Sequence, residues 1–190
     1  MSGPTPSQTA GPYYAMALGR PGDNILAGPD VPGRHIRITG RVFDGDRNHI
    51  EDALVELWQA DEDGHYRHPD DRPGGVGDGF TGFGRCSTDV ETGVYWFETV
   101  EPGPVLDAEG VPAAPHISVI VQGRGMNNPV FTRLYFADET EANAKDFVLN
   151  SVPDARRKTL IAELEDGTDP PEYRFDIRFQ GDDETVFFDF

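Results

Sequence analysis

Apolar side chains at every second position predict β-strands along most of the chain beyond residue 33. The first run places Ile36, Ile38 and Val42 on one face and ends at the turn signal Asp44-Gly45. The same period of two recurs in six later segments. These predicted strands are residues 53–57, 94–100, 116–122, 131–136, 173–179 and 185–190. Because one face of such a strand is apolar, the strands are expected to pack against a second apolar layer.

A change of period after residue 138 predicts two helices, at residues 139–149 and 153–164. Pro153 fits the first position of the second helix, where its missing N–H costs nothing. Asp154 follows it, near the positive end of the helix dipole. The apolar stripe of this predicted helix consists of Leu160, Ile161 and Leu164.

Glycine and proline are frequent, with 22 and 16 residues, and they favour many turns and short elements. Residues 1–33 and 67–85 are so rich in both that neither is expected to hold long regular structure. The Tyr13-Tyr14 pair indicates that part of the first segment docks on an apolar surface. The whole pattern predicts a mainly β protein: a β-sandwich of mixed topology with short helices and long Gly/Pro-rich loops. We divide it into an N-terminal arm, residues 1–33, and a sandwich domain, residues 34–190.

Acidic residues outnumber basic ones by 34 to 16, which gives a formal net charge of −18. Such a chain repels phosphate backbones and anionic membranes, so neither nucleic acid nor a membrane is an expected partner. No segment approaches the ~20 apolar residues of a membrane-spanning helix, and residues 1–14 lack the features of a signal peptide. Cys86 is the single cysteine, so no intrachain disulfide is possible. A cytoplasmic location is therefore expected.

Motifs of a self-sufficient active site are missing from the sequence. It contains no H-x-H, HExxH, G-x-S-x-G or Walker motif. Among the five histidines His116 differs, because it opens an apolar strand directly after a loop, where its side chain can point into a cleft. A lone histidine there is more often structural than a metal ligand. The residues alone predict a β-sandwich without a complete catalytic site.

Several segments nevertheless resemble the intradiol ring-cleavage dioxygenase family. They cover most of residues 6–190 and read TAGPYY, ALVELWQAD, FGRCSTD, ETGVYWFETVEPGPV, APHISV, RLYF and RFDIRFQGDDETVFFDF. The opening PSQTAGPY and the closing RFDIRFQG with ETVFFDF are similar to the α chain of those members of the family that are built from two different chains.

The resemblance implies that this chain has lost an iron site. Catalytic chains of the family bind non-haem Fe(III) through two Tyr and two His, the latter in an H-x-H strand. Here His116 is followed by Ser118 in place of the second His, and Pro73 and Val105 stand where the two Tyr are expected. Ala113 replaces a catalytic Arg three residues before the first His. These positions are therefore vestigial, and no metal and no catalytic residue is expected in this chain.

The resemblance also implies a partner. A homologous β chain would hold the Fe(III) in a higher (αβ)n oligomer and would cleave protocatechuate with O2, between its hydroxyl-bearing carbons, to 3-carboxy-cis,cis-muconate. The α arm would line the entrance to the partner's pocket. The positions that match this role are Thr9, Gly11, Pro12, Tyr13 and Arg124. A guanidinium at Arg124 suits a substrate with a carboxylate.

Two alternatives remain at this point. One is a homomeric intradiol enzyme acting on catechol or hydroxyquinol, which requires the complete Tyr/Tyr/His/His set. The other is a β-sandwich binding module without enzymatic activity, which would not account for the similarity of both chain ends to the α chain.

Overall fold

The structure is a computed structural model, and it describes residues 3, 5–11, 13–71 and 76–189. Two of the predicted site residues, Pro12 and Pro73, lie outside the described residues. Within the described part the chain forms nine strands, whose bounds are β1 His35–Phe43, β2 Leu54–Trp58, β3 Phe83–Ser87, β4 Val94–Val100, β5 His116–Gln122, β6 Val130–Phe136, β7 Ile161–Glu165, β8 Glu172–Arg174 and β9 Ile177–Arg178.

The described helices are only four or five residues long. Their bounds are α1 Tyr14–Leu18, α2 Thr140–Asn143, α3 Phe147–Ser151 and α4 Asp154–Arg157, and a 3-10 turn, Lys158–Leu160, follows α4. In the described part of the chain, no helix has the length and apolar character needed to cross a membrane.

The strands form two layers that share one continuous hydrogen-bonded path. Its order is β3-β2-β5-β6-β7-β8-β1-β4, with β9 paired to β1. Strand β7 joins the layers, since it runs parallel to β6 through Ile161 and Ala162 and antiparallel to β8 through Glu163–Glu165. One hydrophobic core takes residues from both layers. The predicted mainly β sandwich with mixed pairing is therefore confirmed.

Strand β1 shows why the alternating pattern was a reliable guide. Ile36, Ile38 and Val42 are at most 1% exposed, while Arg37, Thr39 and Arg41 on the other face are half-buried. Burying an isoleucine side chain fully is worth about 1.5–3 kcal/mol, so a shift by one residue would turn several such contributions outward. The pattern thus fixes which face of β1 meets the core. The predicted strands at 94–100 and 116–122 match β4 and β5, and those at 53–57 and 131–136 match β2 and β6 within a residue.

One predicted loop and both predicted helices are wrong in part. The loop predicted for residues 67–85 ends early, because Phe83 already begins β3 and its edge pairs with β2. The helix predicted for residues 139–149 is interrupted between α2 and α3 at Asp146. The side chain of Asp146 accepts a hydrogen bond from the backbone N–H of Leu149 at 2.7 Å, so it caps a new helix instead of continuing the first.

The helix predicted for residues 153–164 is wrong in its second half. The α-helical part stops at Arg157, and Ile161–Glu165 extends as β7. Pairing with β6 completely buries Ala162, whereas Leu164, predicted for an apolar stripe, is 38% exposed. An open strand edge therefore overrides the local helical preference.

The C-terminal segments follow the predicted burial more closely than the predicted strand lengths. Tyr173, Phe175 and Ile177 are buried as their alternation predicts, but the run is split into β8 and β9, both parallel to β1. The strand predicted for 185–190 is reduced to a single bridge between Phe131 and Phe188. Several residues of this segment are half-buried against β6 and the 3-10 turn that follows α4.

The N-terminal arm is anchored on its own sandwich at several points. Leu26 is completely buried in the main core, and Ala27 and Val31 form a smaller cluster with Phe80. Further toward the N-terminus, Ala10 bridges to the turn after β5. The residues between these anchors, including α1, lie on the surface, so docking of the arm on a partner remains a proposal.

Candidate functional site

His116 stands at the first position of β5, in the wall of a cavity. Its side chain is buried, and its Nδ1 lies 2.7 Å from the carbonyl oxygen of Ala114. Since a carbonyl can only accept, Nδ1 carries the proton and donates it. Burial lowers the pKa of His116 below its usual 6.5, and the guanidinium of Arg133 lowers it further. The imidazole is therefore neutral near pH 7, and Nε2 is left as a hydrogen-bond acceptor.

Val105 and Ala113 line the same cavity, which we call the His116 cavity. The two are joined by a hydrogen bond of 2.8 Å from the backbone N–H of Ala113 to the carbonyl of Val105. The preceding turn places Val105, because Gly103 packs so tightly that a Cβ there would lie 2.2 Å from the carbonyl oxygen of Glu62. Three of the vestigial positions are thus brought together.

Ser118 follows His116 on the same side of β5, since successive residues of a strand point to opposite faces. It is half-buried, and its register neighbours are Trp58 on β2 and Arg133 on β6. It is not among the residues that line the His116 cavity. Pro73, the remaining vestigial position, lies outside the described residues.

The residues around this cavity do not fit a ferric iron site. Among the described residues there is no group of three or more His, Cys, Asp or Glu side chains that could hold a metal ion. Ferric iron favours anionic oxygen ligands, but burial raises the pKa of both nearby phenols, Tyr66 and Tyr135. The hydroxyl of Tyr135 also donates to Asp146 at 3.0 Å. What remains is one imidazole beside Val105 and Ser118, neither of which is a useful ligand.

Asp146 holds the backbone in front of His116 in place. Its carboxylate accepts hydrogen bonds from the backbone N–H of Ala114 at 2.9 Å and of Leu149 at 2.7 Å, besides that from Tyr135. The pattern analysis missed this residue by placing it inside a helix. The signal that could have found it is an aspartate directly before an apolar run, which is typical of a helix N-cap.

Arg124 lies beyond the opposite end of β5, in the turn toward β6. Its Nε is 3.1 Å from Oδ2 of Asp52, and its side chain is 61% exposed. From His116 to Gln122 the strand rises roughly 20 Å, at ~3.3 Å per residue. Arg124 therefore does not reach the cavity around His116 of its own chain.

The arm meets Arg124 at this end of the sandwich. Ala10 and Arg124 form a parallel bridge, and the backbone N–H of Ala10 donates to the carbonyl of Met126 at 3.4 Å. The hydroxyl of Tyr14 donates to the side chain of Gln122. The predicted arm residues Thr9, Gly11 and Tyr13 flank these contacts, so the structure brings them close to Arg124.

This end of the molecule is also notably exposed. Tyr13 and Met16 are 73% and 70% exposed, although both are large and apolar. Thr9 and Gly11 are exposed as well. A solvent-facing guanidinium beside an exposed apolar arm can contact a second molecule, and Asp52 is a partner of Arg124 that sequence reasoning did not identify.

Comparison with known proteins supports the same family as the sequence motifs. A family model described as "Dioxygenase" matches residues 9–181. A protocatechuate 3,4-dioxygenase alpha chain from Pseudomonas putida is 46% identical, over 98% of this chain and 96% of the relative. A protocatechuate 3,4-dioxygenase beta chain from Burkholderia cepacia is 34% identical, over 85% of this chain and 71% of the relative.

Solved structures agree on the fold. A catechol 1,2-dioxygenase from Acinetobacter sp. ADP1 superposes with a TM-score of 0.65 at 22% identity, over 81% of this chain and 55% of that one. At this identity the likeness concerns the fold alone. The family model and the curated relatives extend over nearly the whole chain, and the chain therefore belongs to the intradiol ring-cleavage dioxygenase family.

Proposed function

We propose that this chain is the α subunit of a protocatechuate 3,4-dioxygenase and works with a homologous, iron-bearing β subunit. The observation that carries the proposal is the 46% identity to an alpha chain over 98% of this chain. The donor set around His116 supports it, because a catalytic chain could not hold Fe(III) with Val105 and Ser118 at ligand positions. The cofactor Fe(III) is accordingly assigned to the partner, which also supplies the ring-cleaving chemistry.

The part played by this chain is to complete the substrate pocket of its partner. The arm residues Thr9, Gly11, Pro12 and Tyr13 are proposed to line the pocket entrance, and Arg124 to bind the substrate carboxylate. Arg124 is well placed for this, because its side chain faces solvent beside the arm and away from the His116 cavity. In a chain with a net charge of −18, a local cation is needed to attract an anionic substrate.

Asp52 holds the guanidinium of Arg124 in place for this role. A guanidinium has five N–H donors. Its Nε can therefore stay bound to Asp52 while the two terminal nitrogens donate hydrogen bonds to a ligand carboxylate. An anchored guanidinium loses less side-chain entropy on binding than a free one. We regard Asp52 as a positioning residue and Arg124 as the binding residue.

Activity, assembly and location follow from the relatives, the exposed arm and the composition. Cleavage of protocatechuate to 3-carboxy-cis,cis-muconate and a place in the catabolism of aromatic compounds follow from the likeness to the named relatives. Assembly into a higher (αβ)n oligomer is consistent with the exposed Tyr13 and Met16. A cytoplasmic location agrees with the composition, since a single cysteine cannot form an intrachain disulfide of the kind common in secreted proteins.

The two alternatives explain fewer of the observations. A homomeric enzyme for catechol or hydroxyquinol needs its own iron, and the donor chemistry around His116 does not provide for it. A binding module without enzymatic activity would have no reason to match an alpha chain over both termini.

Iron content and colour test the proposal directly. We would purify the chain alone and together with a co-expressed β subunit, and measure iron per chain, visible absorption and O2 uptake with protocatechuate. The complex should contain iron, show tyrosinate-to-Fe(III) charge-transfer absorption and cleave the substrate. The chain alone should do none of these. One equivalent of iron and ring cleavage by the chain alone would refute the assignment.

A further inference from the structure

The His116 cavity is formed by five parts of the chain, one of which is the segment after β2 that carries Tyr66. One wall is a loop in which Leu106 bridges to Pro112. Its turn is held by Asp107, whose Oδ1 accepts from the backbone N–H of Glu109 at 3.0 Å and of Val111 at 2.7 Å. The start of β5, the middle of β6 and the start of α3 complete it. Its volume of about 280 Å³ suits a ligand with a single ring.

A flat aromatic surface forms part of the inner wall. The ring of Tyr66 stacks on Trp58 with centroids 5.8 Å apart and an interplanar angle of 8°, so its orientation is fixed. At the rim stand three apolar side chains that are unusually exposed: Leu106 at 39%, Val111 at 57% and Phe147 at 86%. Packing against an apolar ring would remove apolar area of these side chains from water. Exposed apolar area around a concavity commonly marks a binding site.

Two cations face this apolar space without an acidic partner. In the described part of the chain, neither Arg133 nor Lys145 has a carboxylate oxygen within 4.0 Å, although most other described cations do. Arg133 lines the cavity, and its guanidinium hydrogen bonds to the Tyr135 side chain. Its charge opposes the rise that burial causes in the pKa of Tyr66 and Tyr135, and adds to the lowering of the pKa of His116. A half-buried guanidinium without a carboxylate partner among the described residues favours an anionic ligand.

The two carboxylates of the cavity wall are already occupied. Asp107 is bound by the backbone of its own turn, and Asp146 by Ala114, Leu149 and Tyr135. These contacts go to protein donors other than Arg133 and Lys145, so a ligand carboxylate can still bind the two cations.

His116 adds one further polar contact. With Nδ1 donating to Ala114, its Nε2 has no hydrogen-bond partner among the described residues and can only accept. The neutral imidazole can therefore accept a hydrogen bond from a ligand hydroxyl, but its Nε2 has no proton to donate to a second carboxylate.

We propose that the His116 cavity is a non-catalytic binding site for a monocyclic aromatic carboxylate. The carboxylate binds Arg133 and Lys145, the ring packs on Tyr66, and a ring hydroxyl, where the ligand has one, donates to His116. This site is distinct from the Arg124 surface at the other end of β5. The proposal does not rest on the proposed function, because it concerns binding by this chain without iron or partner.

Calorimetric titration of the full chain with simple ligands tests the site. For a ligand of about ten heavy atoms we expect saturable one-to-one binding of benzoate with Kd about 0.1–1 mM. Benzamide, which lacks the charge, and acetate, which lacks the ring, should each bind at least about tenfold more weakly. 4-Hydroxybenzoate should bind more tightly than benzoate. Absence of saturable benzoate binding, or equal binding of benzoate and benzamide, would overturn the proposal.

Variants locate the bound ligand. Arg133→Gln should weaken benzoate binding about tenfold or more, and the exposed Lys145→Gln, which cannot disturb packing, by about two- to fivefold. Circular dichroism and thermal melting would verify that each variant is folded. Arg20→Gln is the matched control, because Arg20 is exposed and is not among the residues that line the cavity, and it should leave benzoate affinity unchanged. If Arg133→Gln and Lys145→Gln both bind benzoate as tightly as the wild type, the ligand does not occupy the His116 cavity and the proposal fails.

Discussion

His116 and Arg124 stand at opposite ends of one strand, β5, with His116 as its first residue and Arg124 two residues beyond its last. The vestigial iron positions and the predicted substrate-binding arginine of the same chain are therefore separated by roughly 20 Å of strand. A small substrate cannot contact both. If Arg124 serves a catalytic centre, that centre belongs to another subunit.

Replacing Arg124 by Ala in the complex with the β subunit should weaken the use of protocatechuate. Loss of a charge-assisted contact of roughly 1.5–3 kcal/mol corresponds to a fall in kcat/KM of about ten- to a hundredfold. Iron content should stay normal. Catechol lacks the carboxylate, so its turnover should change much less.

The control for this experiment is Asp52→Asn, which keeps Arg124 but removes the charge that anchors it. It should raise KM for protocatechuate by less than Arg124→Ala does and leave kcat nearly unchanged. Size-exclusion chromatography would verify that each complex is intact. Equal losses for both substrates would mean that Arg124 braces the interface and does not bind the carboxylate.

The buried Asp146 should contribute strongly to stability. Asp146→Ala removes three hydrogen bonds and leaves the buried N–H groups of Ala114 and Leu149 and the hydroxyl of Tyr135 without an acceptor. We expect the free energy of unfolding to fall by roughly 3–5 kcal/mol. Urea denaturation at constant pH measures this loss.

Asp44→Ala is the matched comparison for Asp146. Asp44 also accepts two backbone N–H groups, those of Asp46 and Asn48, but does so on the surface, where water can replace it. Its loss should be clearly smaller. A similar loss for both variants would show that the Asp146 contacts are not what holds the segment before His116.

Where burial alternates along the chain, the sequence was sufficient to predict the fold. The faces of β1, β4 and β5 follow directly from side chains that must leave water. Strand β7 could not be predicted in the same way, because Ile161 and Ala162 extend only where the edge of β6 needs a partner. Helical preference is local, whereas the gain from closing a sheet edge depends on a strand some 25 residues earlier in the chain.

The same distinction between local and long-range information applies to the candidate sites. Comparison of motifs identified His116, Ser118 and Val105 as positions of interest, since these lie within contiguous runs. Arg133 and Asp146 were not predicted, because their significance arises from β6 and α3 meeting a loop that precedes β5. Only the assembled fold shows that a guanidinium without a carboxylate partner among the described residues lines the same cavity as the imidazole of His116.

The buried, neutral His116 should make stability depend on pH. Its pKa in the folded chain lies below 6.5, the value expected for the unfolded chain. Between these two pKa values the unfolded state binds the extra proton, so this contribution to stability is present above pH 6.5 and is lost as the pH falls toward the folded value. From pH 6.5 to 5.5 the loss is at most about 1.4 kcal/mol. Urea denaturation at several pH values should show a shallower dependence for His116→Gln, and identical dependences would contradict the expectation.

Restoring a single ligand should not restore the iron site. Ser118→His would recreate the H-x-H pattern on one side of β5, beside His116, Trp58 and Arg133. Two imidazoles without phenolates remain a poor site for Fe(III), because Val105 offers no donor and the neighbouring guanidinium repels a cation.

We therefore expect Ser118→His, purified without the partner and incubated with ferrous or ferric salt, to stay colourless and inactive. Iron per chain after desalting, visible absorption and O2 uptake with protocatechuate measure this, with the iron-loaded αβ complex as the positive control. Circular dichroism would confirm that the variant keeps the wild-type fold. One tightly held iron per chain together with ring cleavage would show that the tyrosine ligand positions have been misassigned, and that a phenol already present near the cavity, Tyr66 or Tyr135, gives up its proton to the metal despite the burial that opposes it.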